Sequence, residues 1–248
     1  VKFQNLQTVQ QWKLCEGGCP SGGSNSGPPA DNGSISFGIS SPSLSGAAMA
    51  VQDQSVDPYF DVLYSLDNGG QLDQGLTLGC SSAPCPFQNF EDDLWFYIPS
   101  SSLSSIENLE FDPDYTDRYG NRYRMSVACT SSHNTGNPNH WLYWNEAAGQ
   151  WVNTGVDCSS VWNNVNQWQH LQIYTYLSTT GQSGVPGYYQ YGGVLYNGTN
   201  VFAGLSLPAI QGTVTNWTPN VWVQQEIDNT STGGTSTVYY DNYNLTVW

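Results

Sequence analysis

Ile106-Glu-Asn-Leu-Glu-Phe-Asp-Pro-Asp114 is the stretch whose reading decides the fold. Side chains along a strand alternate between faces, so Leu109 and Phe111 share one side while Glu110, Asp112 and Asp114 share the other. The first pair anchors a core. The second set is a row of carboxylates, and carboxylates a few ångströms apart repel unless a cation, a shared proton or a ligand offsets the cost. An exposed strand kept acidic for solubility would carry the same letters, so the neighbouring strands have to decide.

Outward from this stretch, short strand-like runs alternate with turn residues. Before it they fall near Val9–Leu14, Ser34–Ile39, Ala47–Val51, Tyr59–Leu66, Leu76–Cys80 and Leu94–Ile98. After it come Arg122–Thr130, His140–Asn145, Gln150–Thr154, Trp168–Leu177, Gly187–Tyr196, Val201–Leu207, Val221–Asp228 and Val238–Val247. No helical periodicity persists for more than a few residues, and the 26 glycines and 13 prolines punctuate the chain at short intervals. Sixteen tyrosines and ten tryptophans suit strands. The expected fold is all-β, an antiparallel two-sheet sandwich formed by residues 35–248 as one domain. Residues 1–34 would supply a strand and a Gly/Ser/Pro loop packed on it.

The alternation recurs with a consistent chemistry. In Trp168–Leu177, Leu171, Ile173 and Leu177 point one way, and Trp168, His170, Gln172, Tyr174 and Tyr176 the other. Val221, Val223 and Ile227 oppose Trp222, Gln224, Glu226 and Asp228; Leu94, Phe96 and Ile98 oppose Trp95 and Tyr97. The faces turned away from the core therefore carry Trp, Tyr, His, Gln and carboxylates. Aromatic faces stack on the C–H faces of pyranose rings, and amides and acids take the hydroxyls. A solvent-facing aromatic ladder also stabilises cross-strand pairs without any ligand, which accounts for one such strand more easily than for several. The expected carbohydrate-binding residues are Trp95, Tyr97, Trp168, His170, Gln172, Tyr174, Trp222, Gln224 and Asp228, arrayed on one concave sheet.

Charge narrows the partner. Twenty acidic residues against five basic ones leave a net charge of -15, which argues against nucleic acid, an anionic membrane surface and sulfated or uronic-acid polysaccharides, all of which call for clustered Lys and Arg. A neutral polysaccharide or a cation is compatible. No apolar run reaches transmembrane length. The six cysteines show no zinc-like spacing and read as disulfides, paired by proximity as Cys15–Cys19, Cys80–Cys85 and Cys129–Cys158. Disulfides imply an oxidising compartment, hence a secreted protein whose signal peptide has been removed before Val1.

The runs Leu109-Glu-Phe-Asp112, Tyr123-Arg-Met, Trp141 to Trp151, Trp168-Gln-His170 and Tyr240-Asp-Asn-Tyr-Asn-Leu-Thr-Val-Trp248 resemble those of secreted bacterial proteins of the concanavalin A-like lectin/glucanase superfamily, over roughly residues 55 to 248. The resemblance implies a jelly roll with one concave sheet, and includes sugar-binding lectins, calcium-dependent modules and retaining glucanases. The glucanase branch carries Glu-x-Asp-x-x-Glu on one strand. Glu110 and Asp112 match its first two acids, but Tyr115 stands where the last Glu belongs. An alternative pairs one Glu from each of two strands, Glu110 with Glu226, assisted by Asp112 or Asp228. That requires carboxyls about 5–5.5 Å apart for retention or about 6.5–9.5 Å for inversion.

Two further expectations complete the reading. Calcium through Asp112, Asp114 and Asp117, or through the Glu91-Asp92-Asp93 run, would suit an acidic loop, although the glycine and closing Glu of an EF-hand are missing. Arg118, Arg122 and Arg124 follow the acidic strand closely enough to pair with it. Three functions fit these residues: a carbohydrate-binding protein, an endo-acting glycoside hydrolase, and a self-associating structural subunit of an extracellular surface or filament.

Overall fold

A computed structural model describes residues 1–10, 12–16, 33–54, 61–66, 76–78, 87–212, 218–230, 232 and 234–248, with the backbone alone for 13–16, 61–66 and 77. The first half of the chain forms β1 (Lys2–Phe3), β2 (Trp12–Glu16), β3 (Ser34–Ile39), β4 (Ala48–Asp53), β5 (Asp61–Leu66), β6 (Leu76–Thr77), β7 (Asn89–Tyr97), β8 (Ile106–Thr116), β9 (Arg122–Arg124) and β10 (Val127–Thr130). The second half adds β11 (His140–Asn145), β12 (Gln150–Asp157), a short helix α1 (Ser159–Asn163), β13 (Trp168–Thr179), β14 (Tyr188–Tyr196), β15 (Thr199–Phe202), β16 (Ser206–Pro208), β17 (Asn220–Asn229) and β18 (Ser236–Val247).

These strands make two antiparallel nine-stranded sheets packed as a jelly-roll sandwich. Sheet I runs β15-β14-β13-β7-β18-β4-β3, with β1 on β18 and β16 on β14. Sheet II runs β12-β11-β10-β8-β17-β5-β2, with β6 on β17 and β9 on β8. The chain passes from one sheet to the other between β1 and β2, β2 and β3, β4 and β5, β6 and β7, β7 and β8, β12 and β13, β16 and β17, and β17 and β18. The segment 1–16 belongs to the sandwich itself: β1 pairs with β18 in sheet I, β2 pairs with β5 in sheet II, and Trp12 is buried 5.9 Å from Tyr243.

Between the sheets lies one apolar core. Phe96 of β7 meets Phe111 of β8 at 5.3 Å between ring centroids, and Phe90 meets Tyr115 at 4.9 Å. Leu94, Leu109, Ile173, Val223 and Ile227 are also buried in it. The Cys129–Cys158 disulfide, Cα atoms 6.0 Å apart, ties β10 to the start of α1 from within this core. The expected Cys15–Cys19 and Cys80–Cys85 pairs lie outside the described residues. Among the described residues no helix is long and apolar enough to cross a membrane.

Three local expectations are corrected. Glu91-Asp92-Asp93 is not an acidic loop but the middle of β7, which begins at Asn89. Asp92 faces the core, where Gln225 donates to Tyr243 and Tyr243 donates to Asp92 Oδ2 (2.8 and 3.4 Å), and burial raises its pKa far above the usual carboxylate range. The expected strand Arg122–Thr130 is two strands, β9 and β10, broken where the Met125 amide turns in to bond the Pro113 carbonyl. Val201–Leu207 likewise divides into β15 and β16.

Candidate functional site

Sheet I presents its outer face as a lattice of rows. Trp168, Tyr97 and Tyr239 stand side by side on β13, β7 and β18; the next row holds His170, Trp95 and Asp241; then come Gln172, Asp93 and Asn244, followed by Tyr174, Glu91 and Thr246. Apart from Asp241 these residues are all partly exposed. Tyr97 contacts Trp168 at 5.6 Å and Tyr239 edge-on at 5.8 Å. Trp95 and His170 stack in parallel with centroids 4.5 Å apart, and His170 Nε2 sits 2.6 Å from Asp93 Oδ1, which fixes the imidazole plane on the indole. Gln172 donates to the Tyr174 hydroxyl at 3.0 Å. Burial, then the hydrogen bond and charge of Glu91, push the Tyr174 phenol up to about 12, so it stays a neutral donor and acceptor.

Sheet II carries the acids on its own outer face. Across β17 and β8 the register pairs Trp222 with Asp114, Gln224 with Asp112, Glu226 with Glu110 and Asp228 with Asn108. Unlike the residues on sheet I, these are enclosed: Glu110 is 6% exposed, Asp112 5%, Asp114 1%, Trp222 1% and Glu226 7%. Oxygens of Glu110, Glu226 and Asp228 lie within 4.8 Å of one another. Gln224 Nε2 reaches both Asp112 Oδ2 (3.2 Å) and Glu226 Oε2 (3.5 Å), and Asn108 donates to Asp228 Oδ2 at 2.7 Å while accepting from Asn134. Burial pushes the Asp112 carboxyl up to about 6, against the Ser126 hydroxyl and the guanidinium of Arg124.

The expected site is therefore two sites. Trp95, Tyr97, Trp168, His170, Gln172 and Tyr174 come together on sheet I. Trp222, Gln224, Asp228, Glu110 and Glu226 come together on sheet II, behind the core, so no single concave sheet holds all of them. Trp222 offers no open stacking face: Arg122 lies over its ring, 4.4 Å from the centroid. The same Arg122 donates to Asp114 at 2.9 Å, with Arg124 at 3.9 Å, so the pairing of these arginines with the acidic strand is present. Arg118 instead covers Tyr119.

The expected calcium set does not converge either. Asp114 is taken up by arginine, and both Asp117 oxygens close the turn to Asn121, accepting from the Tyr119 and Asn121 amides, the Asn121 side chain and the Tyr123 hydroxyl. Asn108 lies on the same face as Glu110, as its parity with Glu110 implies, while Tyr239 and Asn134 stand outside the expected set. Tyr239 is signalled by the alternation within Val238–Val247, whereas Asn134, in the turn after β10, carries no local signal.

No protein-family profile matches the chain, and no curated protein is similar to it. Among solved structures, carbohydrate-binding modules of the β-sandwich superfamily align over 97% of this chain and 58% of theirs at 7% identity and a TM-score of 0.41. Alginate lyase Aly36B aligns over 82% of this chain and 81% of its own at 14% identity and 0.43. A botulinum neurotoxin serotype D/C binding domain aligns over 86% and 44% at 12% and 0.42. The chain thus spans little more than half the length of the first of these and less than half of the last. Likeness at this level carries no argument about ligand or activity.

Proposed function

We propose that this is a secreted carbohydrate-binding protein that takes a neutral polysaccharide across the outer face of sheet I. The observation that supports it is the contiguity of that face. Partly exposed rings in the Trp168/Tyr97/Tyr239 and His170/Trp95 rows adjoin a row of Gln172, Asp93 and Asn244, so stacking surface and hydroxyl partners lie one residue pair apart. A chain of net charge -15 favours an uncharged glycan over a polyanion. The disulfide fits an extracellular setting.

Isothermal titration against neutral glucans, mannans and xylans tests the proposal. Saturable binding to at least one is expected. Trp168→Ala, which removes an outward ring and leaves the core intact, is expected to weaken that binding about tenfold, or about 1.4 kcal/mol. Heat from none of the glycans, or an unchanged affinity in the variant, would remove sheet I as the binding face.

Hydrolysis by Glu110 and Glu226 has weaker support. The pair is opposed across β8 and β17, but both residues are more than nine-tenths enclosed and Asp228 shares their space. A sugar would have to enter a face already filled with side chains. The same glycans incubated with the protein are expected to release no reducing sugar; release that disappears in Glu110→Gln would reverse this.

A further inference from the structure

We infer that Tyr174 and Tyr176 on β13, with the slot that Gly192 leaves beside them on β14, form a second stacking subsite on the outer face of sheet I, so that the glycan lies along β13 as an extended run of about five sugars. The inference rests on sheet I being the binding face, and it adds a direction, a length and a residue that controls access.

Three observations carry it. First, β13 keeps one chemistry turned outward along its length: Trp168, His170, Gln172, Tyr174 and Tyr176 are all partly exposed, and the residues between them are buried. From Trp168 to Tyr176 the strand advances about 26 Å, and an extended pyranose chain advances per sugar by roughly the spacing of neighbouring strands, about 5 Å, so about five sugars span the line. Second, the flank of the two tyrosines is uncovered. At the other end of the face the rings take up one another's sides: Tyr97 stands between Trp168 and Tyr239 at 5.6 and 5.8 Å, and Trp95 stacks on His170 at 4.5 Å. Beside Tyr174, β14 supplies Gly193, and a bulge adds Gly192, which is exposed. A Cβ on Gly192 would lie 3.7 Å from Tyr176 Cδ1 and 3.8 Å from Tyr174 Cβ, so any side chain there would stand against both tyrosines. Third, the backbone does not call for glycine at 192. Its φ lies outside the left-handed region, and those Cβ distances are ordinary van der Waals contacts. Glycine inside a strand weakens it, so folding alone would favour a β-branched residue at this position, whereas a ligand approaching the backbone beside a bulge requires the space.

The surroundings of the slot suit an uncharged sugar. Gln172 donates to the Tyr174 hydroxyl at 3.0 Å, Gln190 stands beside Tyr176 in the β13–β14 register, and the exposed Asn200 places Oδ1 3.9 Å from where a Cβ on Gly193 would be. A pyranose entering the slot lays its C–H face against a phenol and meets amides at its rim. On the opposite flank Tyr174 is paired with Glu91, whose charge would repel a carboxylated or sulfated sugar.

Isothermal titration of the whole protein with neutral glucan, mannan and xylan oligosaccharides of increasing length tests the inference. For a series that binds, affinity is expected to rise with each added sugar up to about five and then to level off. Gly192→Val, which fills the slot with a residue suited to a strand, is expected to weaken binding of the longest oligosaccharide about tenfold while the urea midpoint stays the same or rises, a combination that a purely structural glycine would not give. An affinity already level at the disaccharide, a Gly192→Val protein that binds like wild type, or weakened binding accompanied by a lower midpoint would overturn the inference. If Trp168→Ala still weakens binding in any of those cases, sheet I remains the binding face and only the slot fails; heat from none of the series overturns both. Should Gly192→Val not fold, Tyr176→Ala is the second variant: the same tenfold loss supports the subsite, and unchanged binding counts against it.

Discussion

Asp241→Ala is expected to destabilise the protein by about 3 kcal/mol, read as a lower urea midpoint at unchanged slope. Asp241 is fully buried, and its carboxylate organises the turn before β4. Oδ2 accepts from the Ser43 hydroxyl (2.7 Å) and from the amides of Leu44 and Ser45 (2.6 and 3.0 Å). Oδ1 accepts from the Ser45 hydroxyl (2.6 Å), the Gln7 side chain (3.3 Å) and the Asn242 amide (2.7 Å). Burial alone would raise its pKa, but the Ser43 and Ser45 hydroxyls and the backbone amides outweigh it, so the folded pKa falls below the usual value. Such a group contributes stability above its unfolded pKa, and that contribution disappears as the pH falls through the folded one. Alanine would strand these donors at once. Asparagine, which retains one acceptor, should fall between. A loss in Asp241→Ala below about 1 kcal/mol would mean that water replaces the carboxylate and that the turn stands without it.

Asp241 also shows what alternation along a strand can and cannot reveal. Within β7, β13 and β17, and in β8 from Asn108 onward, the alternation assigns side chains to core or outside correctly, because the period of two is a property of the local backbone; Ile106 has the parity of Glu110 yet lies in the core, because the β8–β17 register shifts by one residue between Ile106 and Asn108. Leu109 and Phe111 are in the core and Glu110, Asp112 and Asp114 are not. It does not say which outside. Trp95 and Glu110 both point away from the core, yet the connection from Tyr97 to Ile106 carries the chain across the sandwich, so their outward directions are opposite. The sheet a strand joins is set by pairing with distant segments, and no local pattern encodes that. Enclosure is hidden for the same reason: β17 alternates like a half-exposed strand, although every residue from Asn220 to Asn229 is buried. Asp92 is the reverse case, a carboxylate at a core position, unreadable without the Tyr243 hydroxyl that meets it.

The two faces differ in what they ask of a ligand. Sheet I offers rings and amides in contact with water, and a glycan could leave it without disturbing the fold. On sheet II the carboxylates sit at low exposure beside Arg122, Arg124 and Gln224, so any change in their charge is a change in folding stability. That coupling is measurable through protons alone.

Between pH 4 and 7, without added metal, the protein is expected to lose about 3 kcal/mol of stability through Asp112. Burial raises this carboxyl from 3.8 to about 6 in the folded protein. The folded state therefore holds a proton that the unfolded chain has already released, and stability falls as the pH rises through that interval. The stabilising contribution is complete below about 3.8 and exhausted above about 6. Asp114, also raised by burial although Arg122 and Arg124 oppose it, adds to the slope with the same sign. Asp241 works in the opposite direction at lower pH, so the stability maximum should lie on the acidic side of neutrality. Asp112→Asn isolates the term. Asparagine keeps an acceptor for Gln224 and offers its amide to the Ser126 hydroxyl, without a charge to desolvate. The variant should be more stable than wild type at pH 7, no more stable at pH 4, and visibly flatter in between. Parallel pH profiles for the two proteins would place the titration elsewhere in the acidic row.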